Sequence, residues 1–580
     1  MAYPLLQIRD LQVDFVSEIG TTTAVKDISL EVNRGEIVAI VGESGSGKSV
    51  TSLSILQLLP SPPARYSKGS ILFSENGTSS VNMLEQSPEQ LRAIRGHRIA
   101  MIFQEPMTSL NPVFTCGDQV MEAIRQHQKV SKSKAKARTL ELFEKVKLPN
   151  PALLMDRYPH QLSGGQKQRV MIAMAMSCNP SLLICDEPTT ALDVTVQKTI
   201  LQLIRSLQQT EQMGVIFITH DLGVVAEVAD RAIVMYKGAI VEQGSTKELF
   251  QNPKHPYTKG LLACRPILHP KGTRLPVVSD FLKPAETTSG EKQITGTART
   301  DHNKAAAGNQ SNTGTSSNIL ISVKDLKVWF PSRKNFFGKI LDYTKAVDNV
   351  SFEVFKGETL GLVGESGCGK TTLGRSLLRL IEPTGGTILY NGLDLTATKR
   401  DHLKQLRKDI QIVFQDPYSS LNPRLTIGAA IDEPMRVHNI LPTSKQRKDR
   451  VMELLEKVDL KPEHFYRYPH EFSGGQRQRI VIARALSLAP EFIVCDESVS
   501  ALDVSVQAQV LNLLNDLKKE FGFTTIFISH DLSVVRYISD RIMVMNKGSI
   551  EEMGDAEQVY LKPEKEYTRQ LIASIPKATM

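Results

Sequence analysis

The sequence predicts an α/β protein in which two similar halves each contain a parallel β-sheet. Short apolar runs at 36–41, 182–185 and 215–218 alternate with helical segments. Continuous apolar strands suit a parallel sheet that is covered on both faces. The pattern also repeats along the chain, because GESGSGKS at 42–49 returns as GESGCGKT at 364–371. A chain of 580 residues fits about four compact units, and two halves with two lobes each account for them.

The repeat keeps its order and nearly its spacing. FQEPMTSLNP at 103–112 returns as FQDPYSSLNP at 414–423, and LSGGQKQR at 162–169 returns as FSGGQRQR at 472–479. The offset between the copies is 322 residues at the Gly-rich loop and 310 residues from the SGGQ motif onward. We therefore predict a duplicated module, with about eleven additional residues in the first copy near 66–83.

Domain boundaries follow from the repeat and from composition. Residues 283–318 are rich in Gly, Thr, Ser, Asn and Ala and contain few large apolar residues, which predicts a flexible linker. We expect the first domain at 1–282 and the second at 319–580. Charged helical stretches between the motifs predict a helical lobe at about 88–180 in the first domain and at about 398–490 in the second.

Composition excludes several classes of protein. No two of the six cysteines form a CxxC pair, so neither a disulfide framework nor a zinc site is predicted. The N-terminus lacks the features of a signal peptide, and the longest uncharged apolar stretches, 49–64 and 170–185, have 16 residues each. A membrane-spanning helix needs about 20 apolar residues, so we expect none. The net charge of +8 allows a polyanionic partner without selecting one.

The repeated Gly-rich loop has the P-loop pattern GxxxxGK[ST] between a strand and a helix. Its backbone N–H groups can surround phosphate oxygens, and the helix N-terminus adds roughly half a positive charge. The candidate phosphate-binding residues are Gly42, Glu43, Ser44, Gly45, Ser46, Gly47, Lys48 and Ser49, and Gly364, Glu365, Ser366, Gly367, Cys368, Gly369, Lys370 and Thr371. We predict that the lysines reach the β and γ phosphates of a nucleotide. The hydroxyls of Ser49 and Thr371 are predicted to hold Mg²⁺.

Two acidic residues end a predicted strand in each copy, Asp186 with Glu187 and Asp496 with Glu497. Ligands bind at the carboxyl edge of the sheet in open α/β folds. We predict that the aspartates support Mg²⁺ and that the glutamates orient or deprotonate the attacking water. An acidic pair alone is often a solvated turn. The P-loop, and a His that follows each Asp by 34 residues, favour the catalytic interpretation.

With the SGGQ motif included, the chain resembles two ATP-binding-cassette (ABC) ATPase domains fused in tandem. Physically the motif is a second phosphate-binding turn at a helix start. It consists of Ser163, Gly164, Gly165 and Gln166, and of Ser473, Gly474, Gly475 and Gln476. The resemblance implies tandem P-loop NTPase domains, each with a RecA-like core, an antiparallel β subdomain and a helical subdomain. It also implies two composite ATP sites, Lys48 with Ser473 and Lys370 with Ser163, in a pseudo-dimer within one chain.

The resemblance extends to residues that contact the γ-phosphate. It implies that Gln104 and Gln415 lie in Q-loops, which connect the γ-phosphate and Mg²⁺ to the helical lobe. It also implies that His220 and His530 are the catalytic switch histidines. Because both copies keep their Glu and His, we expect ATP hydrolysis at both sites.

The resemblance also assigns roles at the domain interface and at the adenine ring. Asp193 and Asp503 fall in the D-loop, which lies across the interface between the two domains. Phe15 and Phe330 fall where the family stacks an aromatic ring on adenine. Trp329 is adjacent to the second position, and an aromatic residue on a strand is more often part of a core.

One segment indicates which ABC proteins are most similar. NPKHPYTK at 252–259, with a weaker copy at 562–568, is similar to the peptide permease family of oligopeptide, dipeptide, nickel and glutathione importers. This similarity implies an ATP-hydrolysing subunit with ATP and Mg²⁺ as cofactors, peripheral on the cytoplasmic face of the inner membrane. Its implied partners are two integral-membrane permease subunits and an external solute-binding protein. Many relatives carry a cluster of Cys after HPYT that can hold an iron–sulfur centre. Here Cys264 stands alone, so we expect no such centre.

A second interpretation is a twin-cassette ATPase that acts on ribosomes or DNA. Ribosome-associated relatives have a charged helical linker, whereas residues 283–318 are neutral and rich in Gly and Thr. DNA-repair relatives carry cysteine insertions that bind zinc, and these are absent here. We therefore expect no nucleic-acid partner, and we interpret the basic run at 132–138 as a solvated helix face.

Overall fold

A computed structural model describes residues 3–18, 20–104, 109–190, 192–282, 318–334, 340–500 and 502–575. Residues 283–317 of the predicted linker lie outside this description. No helix in the described ranges combines the length and the apolar character that a bilayer crossing requires.

The first half contains a larger and a smaller sheet. The strands are β1 (Leu6–Ser17), β2 (Gly20–Val32), β3 (Ile37–Val41), β4 (Ala64–Phe73), β5 (Val81–Asn82), β6 (Ile99–Ile102), β7 (Leu182–Asp186), β8 (Gly214–Thr219), β9 (Arg231–Tyr236) and β10 (Ala239–Ser245). The larger sheet has the order β10-β9-β3-β8-β7-β6 and is parallel except for the β9–β10 pair. The smaller sheet is antiparallel, with the order β2-β1-β4-β5. Strands β3, β7 and β8 are the buried apolar runs that led to the α/β prediction, which is confirmed.

The second half repeats this topology. Its strands are β11 (Ile319–Lys334), β12 (Ile340–Phe355), β13 (Thr359–Val363), β14 (Gly385–Tyr390), β15 (Leu393–Asp394), β16 (Ile410–Val413), β17 (Phe492–Asp496), β18 (Thr524–Ile528), β19 (Arg541–Asn546) and β20 (Ser549–Asp555). The sheet orders are β16-β17-β18-β13-β19-β20 and β12-β11-β14-β15. The β4–β5 connection spans 74–80, but the β14–β15 connection spans only 391–392. Some of the additional residues of the first copy therefore lie in the β4–β5 connection, within the range 66–83 that the repeat offset predicts.

Helices cover both faces of the larger sheets. In the first half they are α1 (Lys48–Ile55), α2 (Pro88–Ile94), α3 (Cys116–Gln128), α4 (Lys132–Lys145), α5 (Pro151–Met155), α6 (Gly164–Ala175), α7 (Val194–Glu211), α8 (Leu222–Val228), α9 (Thr246–Gln251), α10 (Pro256–Ala263) and α11 (Val278–Leu282). In the second half they are α12 (Lys370–Leu377), α13 (Arg400–Leu406), α14 (Ile427–Val437), α15 (Ser444–Lys457), α16 (Gly474–Leu486), α17 (Val504–Phe521), α18 (Leu532–Ile538), α19 (Ala556–Leu561) and α20 (Glu566–Ala573).

The helical lobes are narrower than the sequence predicted. Strand β6 lies inside the range 88–180, yet it pairs with β7 in the larger sheet. Strand β16 lies inside 398–490 and pairs with β17 in the same way. These strands have four residues each, and such a short apolar run between charged helices gives no distinct pattern in the sequence.

The parallel strands bring the predicted motifs to one edge of each larger sheet. In the first half, β3 ends before the P-loop, β7 ends at Asp186 and β8 ends immediately before His220. In the second half, β17 ends at Asp496 and β18 ends two residues before His530. Residues that are more than a hundred positions apart in the chain therefore meet at a single site.

Candidate active sites

Each P-loop folds around its own lysine. Lys48 Nζ donates hydrogen bonds to the carbonyl oxygens of Gly42 (2.7 Å) and Glu43 (2.9 Å). Lys370 makes the equivalent bonds in the second half at 2.8 and 2.9 Å. Both side chains are buried. Burial lowers the pKa of Lys48, although nearby carboxylates oppose the shift.

Glycine is required where each P-loop enters its helix. Gly47 has φ of +100°, and a Cβ atom there would lie 2.8 Å from the carbonyl oxygen of Ala24. Gly369 has φ of +108°, and its Cβ would lie 2.0 Å from the carbonyl oxygen of Ala346. A larger residue would be strained at either position and would collide with the backbone. The helices begin at the lysines, where the first N–H groups of a helix have no partner within the helix.

The residues predicted to hold Mg²⁺ meet in both halves. Ser49 Oγ donates to Asp186 Oδ1 (3.2 Å), and Thr371 Oγ1 donates to Asp496 Oδ1 (3.0 Å). Burial raises the pKa of Asp186 to about 6, although the hydrogen bond from Ser49 acts to lower this pKa. Burial also raises the pKa of Asp496.

The donor set suits Mg²⁺. Asp496 Oδ2 is buried and accepts no hydrogen bond from the described residues. The guanidinium of Arg375 lies 3.8 Å away, which is an ion-pair distance but too long for a hydrogen bond. A buried carboxylate oxygen of this kind gains from a cation or a bound water. Mg²⁺ commonly uses one carboxylate together with phosphate oxygens and water, and the hydroxyl and carboxylate here provide such a set.

In the first half, three polar groups surround one oxygen of Glu187. Gln104 Nε2 donates to Glu187 Oε2 (3.1 Å), Thr190 Oγ1 donates to it (2.9 Å), and His220 Nδ1 lies 3.3 Å away. Burial alone would raise the pKa of Glu187, but the hydrogen bond and charge of His220 outweigh it and lower the pKa. For His220, burial opposes the charged form, but Glu187 raises the pKa. The pair therefore favours a carboxylate beside a protonated imidazole.

The second half repeats this arrangement with one change. Gln415 Nε2 donates to Glu497 Oε2 (2.8 Å), and His530 Nδ1 lies 3.6 Å from the same oxygen. Ser500 stands at the position of Thr190, but its hydroxyl donates to the backbone carbonyl oxygen of Glu497 (2.9 Å). Burial again opposes ionisation of the glutamate, yet contact with the histidine lowers the pKa of Glu497.

Both glutamates have a strained backbone. Glu187 has φ of +47° and Glu497 has φ of +48°. The left-handed region is uncommon for residues other than glycine and is enriched at functional sites. The N–H group of Glu187 donates to the carbonyl oxygen of Ile218, near the end of β8, at 3.0 Å. The N–H group of Glu497 donates to the carbonyl oxygen of Ile528, the last residue of β18, also at 3.0 Å. This bond holds the turn that follows the strand and directs each carboxylate toward the histidine.

The signature motifs begin helices through reciprocal capping. Ser163 Oγ accepts from Gln166 N (3.3 Å), while Gln166 Oε1 accepts from Ser163 N (3.0 Å). Ser473 and Gln476 form the same capping box. Both serines are exposed. Among the described residues, neither serine makes a hydrogen bond to the opposite P-loop, so the composite pairs remain predictions.

The second glycine of each signature motif allows close helix packing. A Cβ on Gly165 would lie 2.7 Å from Val196 Cγ1, and a Cβ on Gly475 would lie 2.3 Å from Val506 Cγ1. The two valines lie on α7 and α17, the helices that follow the D-loops. The signature helix can therefore contact the D-loop helix only if these positions have no side chain.

The D-loops reach the opposite half in both directions. Ser44 N of the first P-loop donates to Asp503 Oδ2 of the second half (2.8 Å). Thr190 of the first half lines the cavity at the second P-loop together with Gln415 and His530. Asp193 instead caps its own helix by accepting from Val196 N (2.9 Å). Among the residues that the structure describes, the predicted D-loop residue Asp503 makes a hydrogen bond across the interface and Asp193 does not.

The two candidate adenine-stacking residues differ in exposure. Phe15 is half-buried and packs against the core of its sheet, whereas Phe330 is 41% exposed. The neighbouring Trp329 donates from Nε1 to Asp348 Oδ1 (3.2 Å), and Lys345 Nζ lies 4.7 Å from its ring centre. These contacts hold the Trp329 ring against its neighbours. Phe330 is therefore better placed than Trp329 to contact a ligand.

Two tyrosines that support the P-loops were missed by the sequence reasoning. The hydroxyl oxygen of Tyr257 accepts from Glu43 N (2.9 Å), and that of Tyr567 accepts from Glu365 N (3.2 Å). Tyr257 is fully buried, and burial raises the pKa of Tyr567 to about 12. The repeat contained the signal, because the two tyrosines lie 310 residues apart, at the same offset as the candidate catalytic residues.

Comparison with known proteins identifies the family. Residues 25–190 and 347–500 match the ABC transporter family, and residues 241–290 match the C-terminal region of oligopeptide/dipeptide transporters. The glutathione import ATP-binding protein GsiA of Salmonella choleraesuis (strain SC-B67) is 49% identical over 575 residues. GsiA of Escherichia coli (strain K12) is 48% identical over 581 residues. Each alignment covers 99% of this chain and 90% of the relative.

A solved structure of cbiO1 from Clostridium perfringens, part of the ABC transporter complex cbiONQ, is also similar. It is 25% identical with a TM-score of 0.37, and the match covers 43% of this chain and 93% of that chain. The family matches and the full-length relatives confirm the resemblance inferred from the motifs. The chain belongs to the ABC transporter family and consists of two fused ATP-binding, ATP-hydrolysing cassettes.

Proposed function

We propose that the chain powers the import of glutathione or similar short peptides through separate membrane permeases. The similarity to the glutathione import ATP-binding protein GsiA, over 99% of the chain, carries this proposal. The match of residues 241–290 to the oligopeptide/dipeptide transporter region supports the same solute class. The relatives give no support to the alternative of an ATPase that acts on ribosomes or DNA.

Each candidate site has the groups that ATP hydrolysis needs. In the first half, the P-loop amides and Lys48 bind the β and γ phosphates. Ser49 and Asp186 would hold Mg²⁺, which neutralises phosphate charge when it is bound. Glu187 orients the attacking water and accepts its proton, because His220 keeps this carboxylate ionised. Gln104 contacts the same carboxylate and senses the γ-phosphate from the start of the helical lobe.

The second half performs the same chemistry with its equivalent residues, which are Lys370, Thr371, Gln415, Asp496, Glu497 and His530. We place the first ABC ATPase domain at 1–282 and the second at 319–580, joined by the linker 283–318. The exposed SGGQ turns complete the opposite site when ATP draws the two domains together. No iron–sulfur centre or nucleic-acid partner is part of this proposal.

The partners are two integral-membrane permease subunits and an external solute-binding protein, with the chain peripheral on the cytoplasmic face of the inner membrane. Exposed apolar side chains follow each Q-loop and support this arrangement. They include Val113, Phe114 and Tyr418, which are 71%, 53% and 53% exposed. Their position lets movement at the γ-phosphate reach the permeases as a rigid-body rotation of the helical lobes.

Uptake into membrane vesicles tests the proposal. The vesicles would contain the chain, the permease subunits that co-purify with it and the solute-binding protein. We expect ATP-dependent uptake of labelled glutathione that falls at least about a hundredfold in the Glu187→Gln/Glu497→Gln double variant, because both catalytic bases are lost. Glu141→Gln, on an exposed helix face, is the matched control and should retain uptake. Recovery of the chain with ribosomes, and without membrane subunits, would contradict the proposal.

A further inference from the structure

A segment of the first half lies on the second half. Residues 269–282, which we name the docked segment, follow the HPYT region and end where the linker begins. Leu275 is fully buried, and Val277 and Val278 are 6% and 4% exposed. These side chains belong to a hydrophobic core that continues through the second half and includes Leu511. The docked segment is therefore packed in a hydrophobic core that residues of both halves share, such as Leu261 and Leu511.

Polar contacts fix the docked segment at a single position. Leu275 N donates to Asn512 Oδ1 and Asn512 Nδ2 donates to the carbonyl oxygen of Leu275, both at 2.9 Å. Tyr537 Oη donates to the carbonyl oxygen of Thr273 (2.6 Å). Lys271 forms an ion pair with Asp540. Because Asn512 satisfies both backbone groups of Leu275, a shift of the segment would leave buried polar groups without partners.

Within the described part of the chain, this contact is present on one side of the pseudo-dimer. Asn512 is 8% exposed, whereas Gln202, at the equivalent position of the repeat, is exposed. Residues 566–575, at the end of the described part of the second half, make one hydrogen bond with the first half. Lys198 Nζ of the first half donates to the carbonyl oxygen of Ala573 (2.8 Å). Among the described residues, the docked segment therefore makes more hydrogen bonds to the opposite half than residues 566–575 make.

Helix α17 connects the docked segment to the first candidate ATP site. Asp503 precedes this helix, and Asn512 lies nine residues further on, about 14 Å along the helix axis. Asp503 makes no capping bond to its own helix and accepts instead from Ser44 N. Asp193 caps α7, and no hydrogen bond from Ser366 reaches it among the described residues.

We propose that the docked segment is a positioning element for the first ATP site. By holding α17 through Asn512, it keeps Asp503 against Ser44 of the first P-loop in the absence of nucleotide. The two cassettes then open mainly at the second site, whose D-loop residue Asp193 is bound to its own helix. The inference rests on the proposed closure of the cassettes by ATP and adds an asymmetry to it.

Amide hydrogen exchange of the full-length, nucleotide-free protein tests this proposal. We expect the Ser44 amide to exchange at least about tenfold more slowly than the Ser366 amide. Ser44 donates to the opposite D-loop, whereas no such bond from Ser366 is present in the described part of the chain. Asn512→Ala should increase exchange at Leu275 and Ser44 by about tenfold and leave Ser366 unchanged. Gln202→Ala is the matched control and should change none of the three rates.

A second variant separates release of the segment from a general loss of stability. Leu275→Asp places a carboxylate in the shared core and should release the docked segment without substituting a residue of α17 or of either P-loop. Faster exchange at Leu275 with an unchanged rate at Ser44 would overturn the proposal, as would equal protection of Ser44 and Ser366 in the unmodified protein. Since no ATP is present, these outcomes do not depend on whether the chain transports glutathione.

Discussion

The two candidate active sites share their predicted phosphate-binding groups but differ in the residues around the predicted catalytic glutamate. In the first site, the hydroxyl of Thr190 donates to the Glu187 carboxylate. In the second site, the hydroxyl of Ser500 donates to the backbone carbonyl of Glu497. The comparison shows that the duplicated halves kept the P-loop, Gln, Glu and His while the contacts that orient the carboxylate changed.

A second difference lies beside the aspartates that are predicted to support Mg²⁺, Asp186 and Asp496. Arg375 lies 3.8 Å from Asp496 Oδ2, and its guanidinium carbon lies 5.9 Å from the ring centre of Phe414, which precedes the Q-loop glutamine. Leu53 occupies the equivalent position in the first half. The second site therefore carries an additional positive charge near its predicted metal, and the first does not.

The largest difference between the sites is expected on removal of the Thr190 hydroxyl. Thr190→Val should lower ATP turnover at the first site by about tenfold to a hundredfold, because a hydrogen bond to a carboxylate contributes about 1.5–3 kcal/mol. Turnover would be measured in the Glu497→Gln background, in which only the first site has its base. Ser500→Ala in the Glu187→Gln background should lower turnover by less than about threefold. Equal decreases at both sites would show that the hydroxyls have the same role.

The tyrosines that support the P-loops should give a smaller difference. Tyr257→Phe removes the acceptor for the Glu43 amide and should weaken ATP binding at the first site by about fivefold, since a neutral hydrogen bond contributes about 1 kcal/mol. Tyr567→Phe should have a weaker effect because its bond is longer, 3.2 Å against 2.9 Å. Titration with a fluorescent ATP analogue measures both affinities. Unchanged affinity in Tyr257→Phe would exclude a role for this contact in nucleotide binding.

The smallest expected difference concerns the metal. Arg375→Leu should raise the Mn²⁺ affinity of the second site about two- to threefold in the presence of ADP, because a partly solvated positive charge is removed near the ion. Leu53→Arg should lower the affinity of the first site by a similar factor. Electron paramagnetic resonance of free Mn²⁺ measures both values. A decrease in Arg375→Leu would mean that the arginine organises the metal site instead of repelling the ion.

The sequence allowed prediction of features that are encoded locally. The P-loop glycines, the acidic residues after a buried strand and the capped SGGQ turns each depend on a few neighbouring residues. The structure brings the first two of these features together at one edge of each larger sheet. The contacts of Tyr257 and Asn512 join segments more than two hundred residues apart, and no local pattern specifies such pairs. Whether the Asp503 side chain caps its own helix or accepts from Ser44 likewise depends on how the two halves pack.

The central claim is that both sites hydrolyse ATP, and trapping of the product in each half tests it most directly. The full-length protein would be incubated with a photoreactive, radiolabelled ATP analogue, Mg²⁺ and vanadate, irradiated, and then cut at a protease site inserted in the linker. We expect trapped nucleotide in both halves, and loss of trapping from both in the Glu187→Gln/Glu497→Gln double variant. Label confined to one half of the unmodified protein would contradict the account, since it would leave the other site without hydrolysis.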